Sequence, residues 1–136
     1  MRVESPSLLI TDDDPDFRET LRDVFEPRGF RTLTAGDGEE ALHIVCTQEV
    51  HLLLLDVHMP RLTGLETLRL VKRIKALLPC ILLTARLDEA ILEQARREHA
   101  YSVLSKPVTL RQLTGAVFQA LQNSYNWRWH ELRGEG

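Results

Sequence analysis

No apolar run in this sequence approaches the about 20 residues a membrane helix needs, and the four leucines Leu52–Leu55 fall far short. The opening Met1-Arg2-Val3-Glu4-Ser5-Pro6-Ser7 has no apolar core of the kind that makes a secretory leader. There is no C-x-x-C pairing. Cys46 and Cys80 stand apart in apolar segments, which predicts buried, reduced thiols in a cytoplasmic protein rather than a disulfide. His and Cys nowhere take the spacing of a zinc site. Basic charge is not in excess: the formal net charge is -3, so the domain lacks the basic patch that direct nucleic-acid binding needs. No linker, repeat or low-complexity stretch interrupts the pattern. The remaining expectation is a soluble, single globular domain, since 136 residues can bury roughly two-thirds of their unfolded surface.

What is present is an alternation of strand and helix signals, organised around Leu52-Leu53-Leu54-Leu55-Asp56-Val57-His58-Met59-Pro60. Four leucines are too short to cross a membrane and too uniformly apolar for a half-exposed strand. They predict the central strand of a parallel sheet covered on both faces. Ser7–Thr11 and Cys80–Thr84 are further apolar runs, Tyr101–Ser105 a fifth strand, and the alternating Phe30–Thr34 suits an edge. Between them lie helical patterns. Phe17, Leu21, Val24 and Phe25 mark the first, opened by Asp14-Pro15 and closed by Gly29. Asp37 to Glu40 opens the second over Ala41, Leu42 and Val45. Thr63 to Glu66 opens the third over Leu65, Leu68, Val71 and Ile74. Asp88 caps a fourth over Ile91, Leu92 and Ala95, and Thr109 with Gln112 opens a fifth. This alternation predicts right-handed βαβ units in a doubly wound α/β fold.

In such a sheet the strand ends open on one side, where ligands sit. The first strand delivers Asp12 and Asp13, the third Asp56, the fourth Thr84 and the fifth Lys106. Three converging carboxylates repel unless a cation joins them. An oxygen-only donor set suits Mg²⁺ or Mn²⁺. Lys106 adds a point charge and Thr84 a hydroxyl, which together can hold a phosphoryl group beside the metal. Asp56, alone at the end of the central strand, is the expected nucleophile, and Asp12 and Asp13 the metal-holding pair.

Asp12-Asp13, Asp56, Met59-Pro60, Gly64, Thr84-Ala85 and Lys106-Pro107, in this order and spacing, resemble bacterial response-regulator receiver domains over residues 7 to 122. The resemblance implies a five-stranded parallel sheet of order 2-1-3-4-5. It implies that Asp56 accepts a phosphoryl group from a sensor histidine kinase or phosphotransfer protein in a two-component system. Asp13, Asp56 and the backbone carbonyl of His58 would hold Mg²⁺, with Asp12 acting through water. Thr84 and Lys106 would bind phosphoryl oxygens, and Lys106-Pro107 would be cis. The side chains of His58 and Arg86 would tune the lifetime of the acyl phosphate. The protein would be a phosphoacceptor that labels itself from small donors and dephosphorylates itself. Its output would be a changed protein-binding surface. Val103 departs from the family, which places Tyr or Phe there; Tyr101, two residues earlier, is expected on the same strand face.

Two other functions use parts of this equipment. An Mg²⁺-dependent phosphohydrolase would also pass through an aspartyl phosphate, but such hydrolases carry Asp where this chain has His58. A flavin module would want a small-residue phosphate loop after the first strand, where three aspartates stand. The expected receiver spans residues 1–123, with 124–136 a helical extension or tail. There the stripe Leu110, Leu113, Val117, Leu121, Tyr125, Trp129 and Leu132 predicts that the last helix continues to about Trp129. Tyr125 and Trp129 would then meet a second subunit, a partner or an output domain.

Overall fold

The computed structural model describes residues 5–126. Five strands form one parallel sheet: β1 (Ser7–Thr11), β2 (Arg31–Ala35), β3 (Leu52–Asp56), β4 (Cys80–Thr84) and β5 (Ser102–Ser105). Their spatial order is β2-β1-β3-β4-β5, as the resemblance implied. The three inner strands are buried at every residue, while β2 and β5 expose part of theirs. That is the physical sense of a continuous leucine run in β3 and an alternating pattern in β2. A strand covered on both faces favours apolar side chains along its length, and the polar residues of the inner strands, Ser7, Thr11, Asp56 and Thr84, stand at their ends.

Helices α1 (Pro15–Phe25) and α5 (Leu110–Tyr125) cover one face, and α2 (Gly38–Thr47), α3 (Gly64–Ile74) and α4 (Glu89–Arg97) the other. Leu8, Ile10, Leu52, Leu54, Ile81 and Leu83 point toward α1 and α5. Leu9, Leu53, Leu55 and Leu82, the alternate positions, point toward α2, α3 and α4. Truncating one of these fully buried leucines to alanine should cost about 2–5 kcal/mol.

The helix starts follow their capping residues. Asp14 caps α1, and both Thr63 with Glu66 and Thr109 with Gln112 form reciprocal capping boxes. In α2 only half of the expected box forms. Asp37 accepts from the Glu40 N–H at 2.8 Å, but the Glu40 carboxylate turns to the N–H of Gly36 instead, also at 2.8 Å. A 3₁₀ turn, Glu26–Arg28, extends α1 before Gly29 reverses the chain at φ 93°.

Four sequence expectations are corrected. Cys46 is exposed, because Ala41 and Val45 set the buried stripe of α2 and Cys46 lies off it. Cys80 is buried in β4 as expected, and burial pushes its thiol up to about 12. Leu92 projects from α4 with 46% of its surface exposed, leaving Ala95 as the buried residue of that helix. The last helix passes residue 123 but ends at Tyr125, where Asn126 takes a left-handed turn at φ 55°. Trp129 and Leu132 lie outside the described residues. Tyr125 folds back onto its own domain: its hydroxyl donates to the His51 carbonyl at 2.8 Å, and its ring stands edge-on to the His51 ring. His51 is itself buried, its Nδ1 accepting the Ser7 N–H at 2.9 Å.

Candidate functional site

The parallel sheet brings the carboxyl ends of β1, β3, β4 and β5 to one rim, and the polar residues at or just after each strand end meet there. Asp12 and Asp56 are almost fully buried, Thr84 fully so, and Asp13 is exposed. One carboxylate oxygen from each of Asp12, Asp13 and Asp56 lies within 4.8 Å of the others. The backbone holds this arrangement firmly. The Asp12 N–H donates to Ala35 O, Val57 N–H to Leu83 O, and Lys106 N–H to Thr84 O. Each strand end is thus tied to its neighbour at the point where its functional residue emerges.

Gly64 permits the tightest approach. It opens α3 directly against the backbone of the nucleophile candidate, and a Cβ there would stand 2.2 Å from Asp56 O. Its N–H donates to Val57 O at 2.9 Å. The glycine is needed for closeness, and the fold places α3 as a wall of the site.

Lys106 supplies the local positive charge. Its Nζ donates to Asp12 Oδ2 at 2.8 Å and lies 3.4 Å from Asp56 Oδ1. The Lys106-Pro107 bond is cis, as expected. Burial pushes the Asp56 carboxyl above the ordinary carboxylate range, and the Asp12 charge adds to this. The Lys106 ammonium and the His58 N–H oppose the rise without cancelling it. For Lys106, burial acts to lower the pKa, but the hydrogen bond to Asp12 and the charges of Asp56 and Asp12 outweigh it. The ammonium is held above its usual value.

The donor set fits a hard divalent cation. Octahedral Mg²⁺ with bonds of about 2.1 Å keeps its ligands within about 4.2 Å of one another, so these carboxylates need only close slightly. Asp12 already uses both oxygens, accepting from the Asp14 N–H and from Lys106. Asp56 is likewise met by Lys106 and by the His58 N–H, while Asp13 is the exposed member of the three.

Thr84 Oγ1 accepts the Arg86 N–H at 3.0 Å and lies 3.1 Å from His58 Nε2. The sequence pointed to the His58 carbonyl; the side-chain link to Thr84 was not legible in it. Arg18 was also missed: its Nη1 donates to the Asp12 carbonyl at 2.8 Å, pinning the loop that carries the acidic pair. Its position one turn into α1, beside the aspartates, was the available signal. Tyr101 does not share a face with Val103. It precedes β5 in a bend and packs with the α1 and α5 layer, its hydroxyl accepting from Asn123 Nδ2 at 2.7 Å. Val103 packs on the opposite layer with Leu82 and Ala95. Tyr101 therefore cannot stand in for the aromatic residue missing at 103.

A family model described as the response regulator receiver domain matches residues 8–118. A probable chemotaxis protein CheY of Rhizobium etli is 35% identical over 120 residues, which cover 85% of this chain and 92% of that protein. The transcriptional regulatory protein CpxR of Escherichia coli is 34% identical over 118 residues, covering 87% of this chain but 50% of that protein. The chain thus spans about half of CpxR, and a quarter of the regulatory protein AtoC. Among solved structures, a response regulator receiver domain from Clostridium thermocellum superposes with a TM-score of 0.80 at 30% identity, over 87% of this chain and 95% of that one. A CheX-CheY-BeF₃-Mg complex from Borrelia burgdorferi contains a chain with the same fold. Its TM-score is 0.81 at 24% identity, over 85% of this chain and 89% of that one.

Proposed function

This chain belongs to the response regulator receiver domain family, and from that membership we propose which of its residues receive, hold and read the phosphoryl group. The domain is a phosphorylation-controlled module of two-component signalling. Receiver domains take phosphoryl groups from histidine kinases or phosphotransfer proteins and bind Mg²⁺ at an acidic site.

In the proposed reaction an Asp56 carboxylate oxygen forms a bond to phosphorus as the donor's nitrogen–phosphorus bond breaks. The electron pair leaves with the donor imidazole, and the product is an aspartyl phosphate. Bound Mg²⁺ supplies charge neutralisation for the phosphoryl oxygens. Asp13, Asp56 and the His58 carbonyl are the proposed direct ligands, with Asp12 acting through water. Lys106 pairs with a phosphoryl oxygen, and Thr84 leaves its Arg86 and His58 partners to donate to another. Attack of water on phosphorus later returns the free carboxylate and inorganic phosphate, with the His58 and Arg86 side chains governing access. Self-labelling from small donors belongs to the same proposal.

The observation that carries it is the meeting of three carboxylates within 4.8 Å, with one ammonium set between Asp12 and Asp56. The phosphohydrolase alternative draws no such support from the relatives named above, which are a chemotaxis protein and regulatory proteins. Among the described residues no helix is long and apolar enough to cross a membrane, and both cysteines are free, which suits action in the reducing cytoplasm. A downstream protein or output domain reading the phosphorylated face, and pairing with a second copy of the chain, complete the proposal. Incubation with acetyl phosphate or a phosphohistidine donor and Mg²⁺ tests it. Wild type should take up one phosphoryl group per chain and Asp56→Asn none. Labelling of Asp56→Asn at the wild-type rate would overturn the nucleophile, and sustained multiple turnover of a small phosphoester would favour the hydrolase.

A further inference from the structure

We propose that Phe17 is a positioning residue for Lys106, its ring face holding the ammonium at the phosphoacceptor site through changes in the charge around it. The inference rests on the phosphoryl-binding role given to Lys106 above. Read as sequence, Phe17 is only the first apolar residue of the α1 stripe. In the fold it lies at the mouth of the site, and the Lys106 Nζ stands over its ring at 4.5 Å from the centroid. That is within the range of a cation–π contact, in which the negative ring face attracts the cation.

The chemistry of Lys106 makes such a contact useful. Lysine carries a point charge on a flexible stem, and this one extends from β5, an edge strand whose residues are only partly covered. Its ionic partners, Asp12 and Asp56, are also the residues that meet the metal, and Asp56 is the one that gains the phosphoryl group. Each of those events changes what the carboxylates offer the ammonium. The Phe17 ring is a neighbour whose charge does not change. Its own place is well fixed. It is the third residue of α1, whose start is set by the Asp14 cap and Pro15 and whose next residue, Arg18, is bonded to the Asp12 carbonyl. The ring therefore limits the volume the ammonium explores, so that Lys106 meets an incoming phosphoryl oxygen without first being reordered.

The test compares Phe17→Leu, Phe17→Trp, Lys106→Met and the Leu/Met double variant in full-length protein. The readout is the initial rate of labelling by acetyl phosphate at saturating Mg²⁺, with melting temperature alongside. Phe17→Leu keeps apolar volume and removes the ring; it should slow labelling about threefold to tenfold, and Phe17→Trp should restore the rate. On the Lys106→Met background the leucine change should have no further effect. An equal loss on both backgrounds would make Phe17 a packing residue and overturn the inference, as would a wild-type rate in Phe17→Leu. If Lys106→Met itself labels at the wild-type rate, the role of Lys106 fails first and this inference falls with it. Should leucine disturb the start of α1, Phe17→Met fills the same space. The contact has a direct signature as well: the Lys106 Cε protons should be shifted upfield by the ring in wild type and return in Phe17→Leu. Unshifted wild-type protons would overturn the proposal without any labelling experiment.

Discussion

Replacing Gly64 with alanine adds one methyl group, and the surroundings leave no room for it. The new Cβ would stand 2.2 Å from Asp56 O, 2.7 Å from Val57 Cα and 2.9 Å from Asp56 C. Ordinary contact between such atoms begins near about 3.5 Å, so roughly 1.3 Å of separation must be found. All three obstructing atoms are backbone. They belong to β3 and the residue after it, at the centre of the sheet between β1 and β4, with Val57 N–H tied to Leu83 O. The strand yields less than the helix start, so most of the retreat falls on α3. That retreat stretches the Gly64 N–H bond to Val57 O and disturbs the Thr63 capping box. Overpacking of this kind costs about 1–3 kcal/mol, and the lost bond places Gly64→Ala at the upper end, about 3 kcal/mol. For a domain of this size that is a fall in Tm of roughly 9–15 °C. Any residual movement of Asp56 of about 1 Å should slow phosphoryl transfer on the order of a hundredfold. Thermal unfolding followed by circular dichroism, and acetyl phosphate labelling followed on phosphate-affinity gels, measure the two effects separately. An alanine variant with wild-type Tm and wild-type labelling rate would refute the close-approach account.

Magnesium should stabilise the domain, adding about 2.7 kcal/mol at one hundred times its dissociation constant; a Tm indifferent to millimolar Mg²⁺ removes the metal from the Asp12, Asp13 and Asp56 cluster. Asp56→Asn should raise Tm at pH 7 in metal-free buffer. The folded pKa of Asp56 lies above its unfolded value, chiefly through burial, so its contribution is present at low pH and lost as pH rises through the folded pKa. A lower Tm than wild type under those conditions counts against that account. His51 has the opposite sign: burial, opposed by Glu49, lowers its pKa, and its Nδ1 must stay unprotonated to accept from Ser7. Stability should be complete above about pH 6.5 and fall as the pH drops below it, and His51→Gln should flatten that slope in urea titrations. Val103→Tyr should enlarge the chemical-shift response of α4 and β5 to beryllofluoride, since valine leaves unfilled the space an aromatic ring would take; equal responses in both proteins would deny Val103 that influence.

Local pattern was enough for much of this molecule. The leucines of β3, the apolar runs of β1 and β4, and the caps at Asp14, Thr63, Asp88 and Thr109 each carry their own physical instruction. The middle of a buried strand favours apolar residues, and a helix start needs an acceptor for its free N–H groups. Asp12, Asp13, Asp56, Thr84 and Lys106 were legible as one site for a related reason. In a parallel sheet every carboxyl end faces the same way, so residues just after different strands must share a rim. Where sequence reasoning failed, the deciding contact came from outside the segment. Cys46 lies one residue off the buried stripe of α2, a rotation that packing against the sheet decides. Tyr101 sits before β5 begins, where alternation no longer governs which face a side chain takes. The stripe through Tyr125 suggested a projecting helix, yet the turn at Asn126 and the carbonyl of His51 draw Tyr125 back to the sheet. Asp12 and Lys106 are 94 positions apart, and Phe17 reaches the same ammonium from α1. Periodicity reports which side of an element is apolar. Only the closing of the sheet and the seating of α1 and α5 against it bring those distant groups within bonding distance.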